Sequence, residues 1–247
     1  MSVQLEFVGH ACFRLWENGK PTIVTDPYSH HDTQLEDDGS RLDADTVIVS
    51  SLTDESHNNV SLVRGNPRVI NALDVALGTA SATINGEPLV AIATAEAADH
   101  DLHDPMDNAM YAFKAGGLWF AHLGDLGYGL SNDELAPWEN KCDVLIPIVG
   151  ERNTVKLDDL DDMIEFLKPT WIVPMHYALP PLGGPDAGRM KPVDIFINRH
   201  PRATVYIARH HSVTLPMPKS AVGRSTIIVL EPSGYKATGG FLEFRAS

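Results

Sequence analysis

Read for alternation of apolar and polar positions, the chain opens on two or three short strands, around VQLEF, CFRLW and PTIVT. They are separated by Gly9-His10 and by Asn18-Gly19, the second a hairpin turn. Residues 28–45 carry His30, His31, Asp32, Glu36, Asp37, Asp38 and Asp43 with almost no apolar periodicity, which predicts a loop. The β-branched run Thr46, Val47, Ile48, Val49 then predicts a buried strand that empties abruptly into a polar loop, Ser50 to Asn59. Strands around 67–71 and 89–94 bracket a surface turn at Asn85-Gly86, and AMYAFKA and GLWFAHL meet across Gly116-Gly117.

The second half mixes helices with strands. Ser131 followed by Glu134 is a capping-box pattern that opens a helix, and the strand DVLIPIV comes next. Leu157, Leu160, Ile164 and Leu167 recur at helical spacing within 154–168, whose charges form the solvated face and whose stop is Lys168-Pro169. A strand in TWIVPM, a Pro/Gly-rich loop PPLGGPDAG, a helix in PVDIFINRH and strands in TVYIAR and STIIVLE complete the pattern. Strand-rich, mixed and strand-rich again, this order fits an α/β fold with facing sheets and outer helices.

Composition narrows the function. With 247 residues and 43% hydrophobic content, the chain can bury a sizeable core as one domain, 1–247. It has no apolar run of the roughly 18 residues a membrane span needs, and MSVQLEF alternates like a strand. The expectation is a soluble, cytoplasmic protein that does not bind membranes. Cys12 and Cys142 sit in apolar surroundings and read as buried thiols. The 33 acidic against 19 basic residues, net charge −14, would repel a phosphate backbone, so nucleic acid is excluded as a partner.

Candidate chemistry clusters where strands end. His57 closes the polar loop after the first buried strand, AADHD brings His100 with His103 in reserve, GDLG holds Asp125 between glycines, and VPMHY presents His176. Small neighbours let a backbone approach an ion closely, which is what a bridging carboxylate needs. Strand alternation points His122 away from Asp125, so it is read as structural or supporting. His10 and Asp26 read as turn formers or supports rather than ligands, and the His30-His31 pair as solvated.

These stretches, with GHACF, TDPY and Asn108, resemble in order and spacing the metallo-β-lactamase-fold hydrolases, in the branch of small bacterial metal-dependent hydrolases that includes sugar-lactone lactonases. The family motif His-x-His-x-Asp-His falls on Leu52, Asp54, Ser56 and His57, so only its last position is matched, while Asn58, Asn59 and Val60 continue the match. The resemblance implies a four-layer αββα sandwich with a metal cleft along one edge. It implies a ligand set of His57, His100, Asp125 and His176, with Asp54 and Asp125 as catalytic carboxylates. Leu52 cannot bind an ion and Ser56 is a poor ligand, so one ion per chain is expected, zinc or else manganese or iron. It would activate water for hydrolysis of a small-molecule lactone, ester, amide or phosphodiester, in a chain free to form homo-oligomers. The alternative is a metal-poor relative that keeps the fold as a binding or structural protein.

Overall fold

The computed structural model describes residues 2–29, 41–53, 56–96, 106–179, 190–218 and 224–233. The His30-His31 pair, Asp54, His100, His103 and the loop PPLGGPDAG lie outside or largely outside them. The strands of the first half are β1 (Val3–Gly9), β2 (Cys12–Glu17), β3 (Lys20–Thr25), β4 (Thr46–Val49), β5 (Arg68–Asn71), β6 (Thr83–Ile84), β7 (Glu87–Pro88) and β8 (Val90–Thr94). Then come β9 (Asn108–Ala115), β10 (Leu118–His122), β11 (Val144–Ile146), β12 (Trp171–Ile172), β13 (Thr204–Ile207), β14 (Ser212–Leu215) and β15 (Thr226–Val229). The helices are α1 (Ala72–Ala76), α2 (Asn132–Leu135), α3 (Leu157–Leu167) and α4 (Val193–Arg199).

Two large sheets result, ordered β14-β1-β2-β3-β4-β5 and β13-β15-β12-β11-β10-β9-β8. Local turn chemistry makes the antiparallel pairs: Asn18 and Gly19 joining β2 to β3 both have positive φ, 52° and 76°, as a two-residue hairpin turn of the right twist requires. The parallel runs β3-β4-β5 and β10-β11-β12-β15 need longer crossovers, and α3 fills one of them.

One apolar core joins the sheets. Phe7 and Phe13 from the first stack at 4.8 Å, Phe113 and Phe120 from the second at 5.7 Å, and all four belong to a single buried cluster. Burying one such ring contributes about 1.5–3 kcal/mol. The same cluster takes in Leu157, Leu160 and Met163 of α3 and Val193, Phe196 and Ile197 of α4, so the helices flank the sheets as the αββα order expects. The sheets approach closely at Gly116, where an added Cβ would stand 2.7 Å from that of Val3. Cys12 and Cys142 are buried free thiols, pushed up in pKa chiefly by that burial.

Three elements depart from the sequence pattern. α1 is too short to show periodicity and begins where the Asn71 side chain accepts from the Leu73 N–H. β14 is a four-residue edge strand behind a polar stretch, defined only by its pairing with β1. α3 starts at Leu157 rather than near 154, and ends at Lys168, whose φ of 50° takes the left-handed stop. The capping box at Ser131 forms with both halves in place.

Candidate metal centre

Four loop corners converge on one edge of the sandwich, two from each sheet. The first is the β1–β2 turn, where Gly9 at φ 147° and His10 at φ 55° fold the chain back. The His10 carbonyl accepts from the His176 N–H at 3.0 Å, and the neighbouring Ala11 carbonyl pairs with His122 Nε2 at 2.9 Å. Each bond ties this corner to the other sheet.

The second corner follows β4. Asp26 is fully buried at φ 36°, and its Oδ1 accepts from the Ser50 N–H at 2.6 Å, turning the chain out of the strand. The loop returns along residues 27–29: the Asn59 N–H donates to the Pro27 carbonyl at 2.8 Å and Asn59 Nδ2 to the Tyr28 carbonyl at 3.1 Å. His57 is thereby carried inside, with no exposed surface. Leu52, where the family motif begins with His, stands 50% exposed.

The third corner is Gly124-Asp125 beyond β10. Gly124 has φ 59°, and a Cβ there would lie 2.4 Å from Asn108 Oδ1. That oxygen accepts from the Asp125 N–H at 2.9 Å, while Asn108 Nδ2 donates to Thr94 at 2.7 Å. Asn108 thus fixes the peptide that presents Asp125. The fourth corner follows β12, where the Met175 N–H donates to the Pro147 carbonyl and His176 turns at φ 53°. Gly150 packs so tightly beneath it that a Cβ would come 2.3 Å from the His176 carbonyl oxygen.

The outcome is a nest of donors. Ligand atoms of His10, His57 and His176 lie within 4.8 Å of one another. Their ring centroids are 4.9 Å apart for His10–His57, 4.2 Å for His10–His176 and 5.8 Å for His57–His176. Asp125 Oδ1 stands 3.7 Å from His176 Nε2. Burial, and then the neighbouring His176, hold the His10 and His57 imidazoles well below their usual pKa. Both are therefore neutral at pH 7, the form that offers a lone pair to an ion. Three imidazoles and a carboxylate suit zinc, iron or manganese.

His57, Asp125 and His176 are thus brought together as their strand ends suggested, and His10 joins them, although a Gly-His turn read locally as a support. The signal for it was available: the turn sits at a strand end, as the other donors do. His122 already has both ring nitrogens engaged. It is buried, its Nδ1 accepts from the Gly124 N–H at 3.0 Å, and Tyr111 stacks on it at 4.9 Å. Asp26 Oδ2 lies 3.4 Å from the same Nδ1, so both residues brace the corners from below.

A cation completes the surroundings. The loop after β11 is pinned at Gly150, whose carbonyl accepts from the Lys191 N–H at 2.8 Å, and at Val155, whose N–H donates to the Leu126 carbonyl at 2.8 Å. One pin lies beside His176 and the other beside Asp125. Between them Glu151 and Asn153 take positive φ, 50° and 51°, around Arg152. Its charge acts on His10 and lowers that pKa further. The sequence pattern had not singled out this residue.

Comparison with known proteins shows the family and the fold. The profile of a family described as "Beta-lactamase superfamily domain" matches residues 4–176. A UPF0173 metal-dependent hydrolase of Thermococcus kodakarensis is 22% identical over 201 residues, 73% of this chain and 87% of the relative. Among solved structures, a candidate Zn-dependent hydrolase of the metallo-beta-lactamase superfamily from Thermotoga maritima superposes with a TM-score of 0.66 and 26% identity, covering 92% of this chain and 98% of its own. A metallo hydrolase from the archaeon Ignicoccus hospitalis shares the fold at a TM-score of 0.58 and 16% identity, covering 88% of this chain and all of its own.

Proposed function

Because the chain belongs to the beta-lactamase superfamily domain family, we propose that it is a metal-dependent hydrolase whose ion is held by His57, His176, Asp125 and His10. The observation that carries this reading is the convergence of three imidazoles, with ligand atoms within 4.8 Å of one another, and one carboxylate 3.7 Å from the third of them, drawn from both sheets. When bound, a zinc, iron or manganese ion polarises a scissile carbonyl or phosphoryl oxygen and acidifies water. The protein's own residues do the rest. Burial keeps His10 and His57 unprotonated, Asn108 and Gly124 aim Asp125, and Gly150 sets the height of His176.

The match of motif to sequence leaves one full ligand set, so the proposed stoichiometry is one ion per chain, with zinc favoured by the imidazole-rich donors. His100, the remaining expected ligand, and Asp54, the expected proton relay, lie outside the described residues. Arg152 narrows the substrate class. A guanidinium beside the donor cluster, in a chain of net charge −14, favours substrates with a negative group next to the scissile bond. Small phosphodiesters, and lactones or esters bearing a phosphate or carboxylate, fit that description better than neutral amides. The substrate is accordingly a small soluble molecule, and a polyanionic nucleic acid is disfavoured by the overall charge.

Protein purified without chelator and analysed for metals should carry close to one ion per chain, and should hydrolyse at least one member of a panel of anionic lactones, esters and phosphodiesters. Metal-free protein with no such activity after reconstitution would instead support the binding-protein reading.

A further inference from the structure

The seven-stranded sheet carries a cavity remote in kind and in place from the donor cluster. It measures about 510 Å³ and is lined by Arg199, His200, Arg202 and Arg224 over the apolar side chains of Ile164 and Ile172. Ala203 and Ser225, also in its wall, immediately precede β13 and β15, so the cavity sits at the N-terminal ends of these parallel strands. His176 and Asp125 follow the C-terminal ends of β12 and β10, at the opposite edge.

Its charge runs against that of the molecule. Arg199 is already committed to Asp158 and Asp161, and His200 Nε2 lies 3.2 Å from Asp161 Oδ1. Among the described residues, Arg202 and Arg224 have no carboxylate partner, which leaves two arginines of the lining without a compensating charge. A backbone bond joins their segments, the Thr204 N–H donating to the Ser225 carbonyl at 3.2 Å, and the Ser225 hydroxyl anchors one of them by donating to the Pro169 carbonyl at 2.7 Å. A guanidinium pair is the arrangement that grips phosphate oxygens in a planar, bidentate fashion. The volume falls within the roughly 300–1,000 Å³ of small-molecule sites.

We propose that this cavity binds an organic phosphate monoester, with Arg202 and Arg224 on the phosphate and Ile164 and Ile172 against the apolar body. The assignment is independent of the reaction proposed for the cleft. Isothermal titration of the full chain with adenosine monophosphate and with inorganic phosphate tests it. Adenosine monophosphate should bind once per chain and more tightly than inorganic phosphate, which should compete with it. Arg202→Gln/Arg224→Gln should weaken binding by ~10-fold or more, the scale of lost charge-assisted bonds, and each single variant should weaken it by less. His176→Ala, altered only at the cleft, should bind as the parent does. No binding to the parent chain, or binding lost in His176→Ala but kept in the arginine variants, would overturn the site. Equal affinity for the two probes would overturn the ester assignment.

Discussion

Nε2 of His176 stands 3.7 Å from Oδ1 of Asp125, although the two residues leave different strands and are separated by the whole of α3. The contact is set by the tight turn at Gly150 beneath one residue and by the side-chain oxygen of Asn108, which accepts from the Asp125 N–H, behind the other. Two donors so placed should act as one unit. Asp125→Asn or His176→Ala should each reduce bound metal to near zero and abolish hydrolysis, with the far-ultraviolet circular dichroism unchanged. Activity surviving in either variant on a lactone or phosphodiester substrate would be incompatible with the proposed centre.

His10 distinguishes the structure from the sequence pattern most sharply. If its ring is a ligand, His10→Ala should lower metal affinity by at least ~10-fold, the lower end of what altered metal-site contacts cost. A residue that merely shaped the turn would leave metal affinity untouched and lower only the melting temperature. Competition with a calibrated chelator separates the two outcomes.

Arg152 should act on recognition. Arg152→Gln should raise KM for a phosphate-bearing substrate by ~10-fold while metal content stays at the parent level, because a lost charge-assisted contact costs roughly 1.5–3 kcal/mol. An unchanged KM would place the guanidinium outside substrate reach.

The buried His122 sets a pH dependence of stability. Burial pushes its pKa down to about 4 from an ordinary 6.5. Between those values the unfolded chain takes up a proton that the native protein refuses, so stability is full above about 6.5 and falls as pH drops toward 4. The loss is about 3 kcal/mol for this one group. His10 and His57, also held low, add slope of the same sign. Urea midpoints at pH 7.5 and pH 4.5 should therefore differ less in His122→Gln than in the parent; an identical difference would mean that His122 is protonated in the folded state.

Gly150→Ala introduces a methyl 2.3 Å from the His176 carbonyl oxygen. The turn must shift, at a cost of about 1–3 kcal/mol. Thermal unfolding should show that loss, and metal affinity should fall with it because His176 is displaced. A fall in melting temperature alone would show that the turn yields without moving the ring.

Most of the architecture was legible in the chain because it is local. Alternating or continuous apolar runs marked β1 to β4 and β9 to β11, and Leu157 and Leu160 marked α3. Asp125 and His176 were legible for the same reason, each lying just past an apolar run, and His57 because it closes the polar loop that follows one, with the family resemblance marking all three as ligands. What escaped depends on partners far away in the chain. β14 is a strand because β1 offers it an edge, and His10 is a donor because His176 bonds its carbonyl. Gly150 looked like any strand-end glycine, and only the carbonyl pressed against it explains the residue. Arg152 gave no periodic signal, since its placement follows from two backbone pins on either side.

The position of β1 inside its sheet gives the centre a schedule. The strand that leads into His10 is flanked by β2 on one side and by β14 on the other. Phe7, three residues before His10, donates its N–H to the His211 carbonyl and accepts from the Ser233 N–H. All four donors have therefore been synthesised well before the segments that seat the first of them. A nascent chain paused after His176 would hold every donor yet lack the strand that steadies the His10 corner, so that corner is completed only once β14 has docked. A truncation ahead of Ser212 should likewise leave the donors present and the cluster loose.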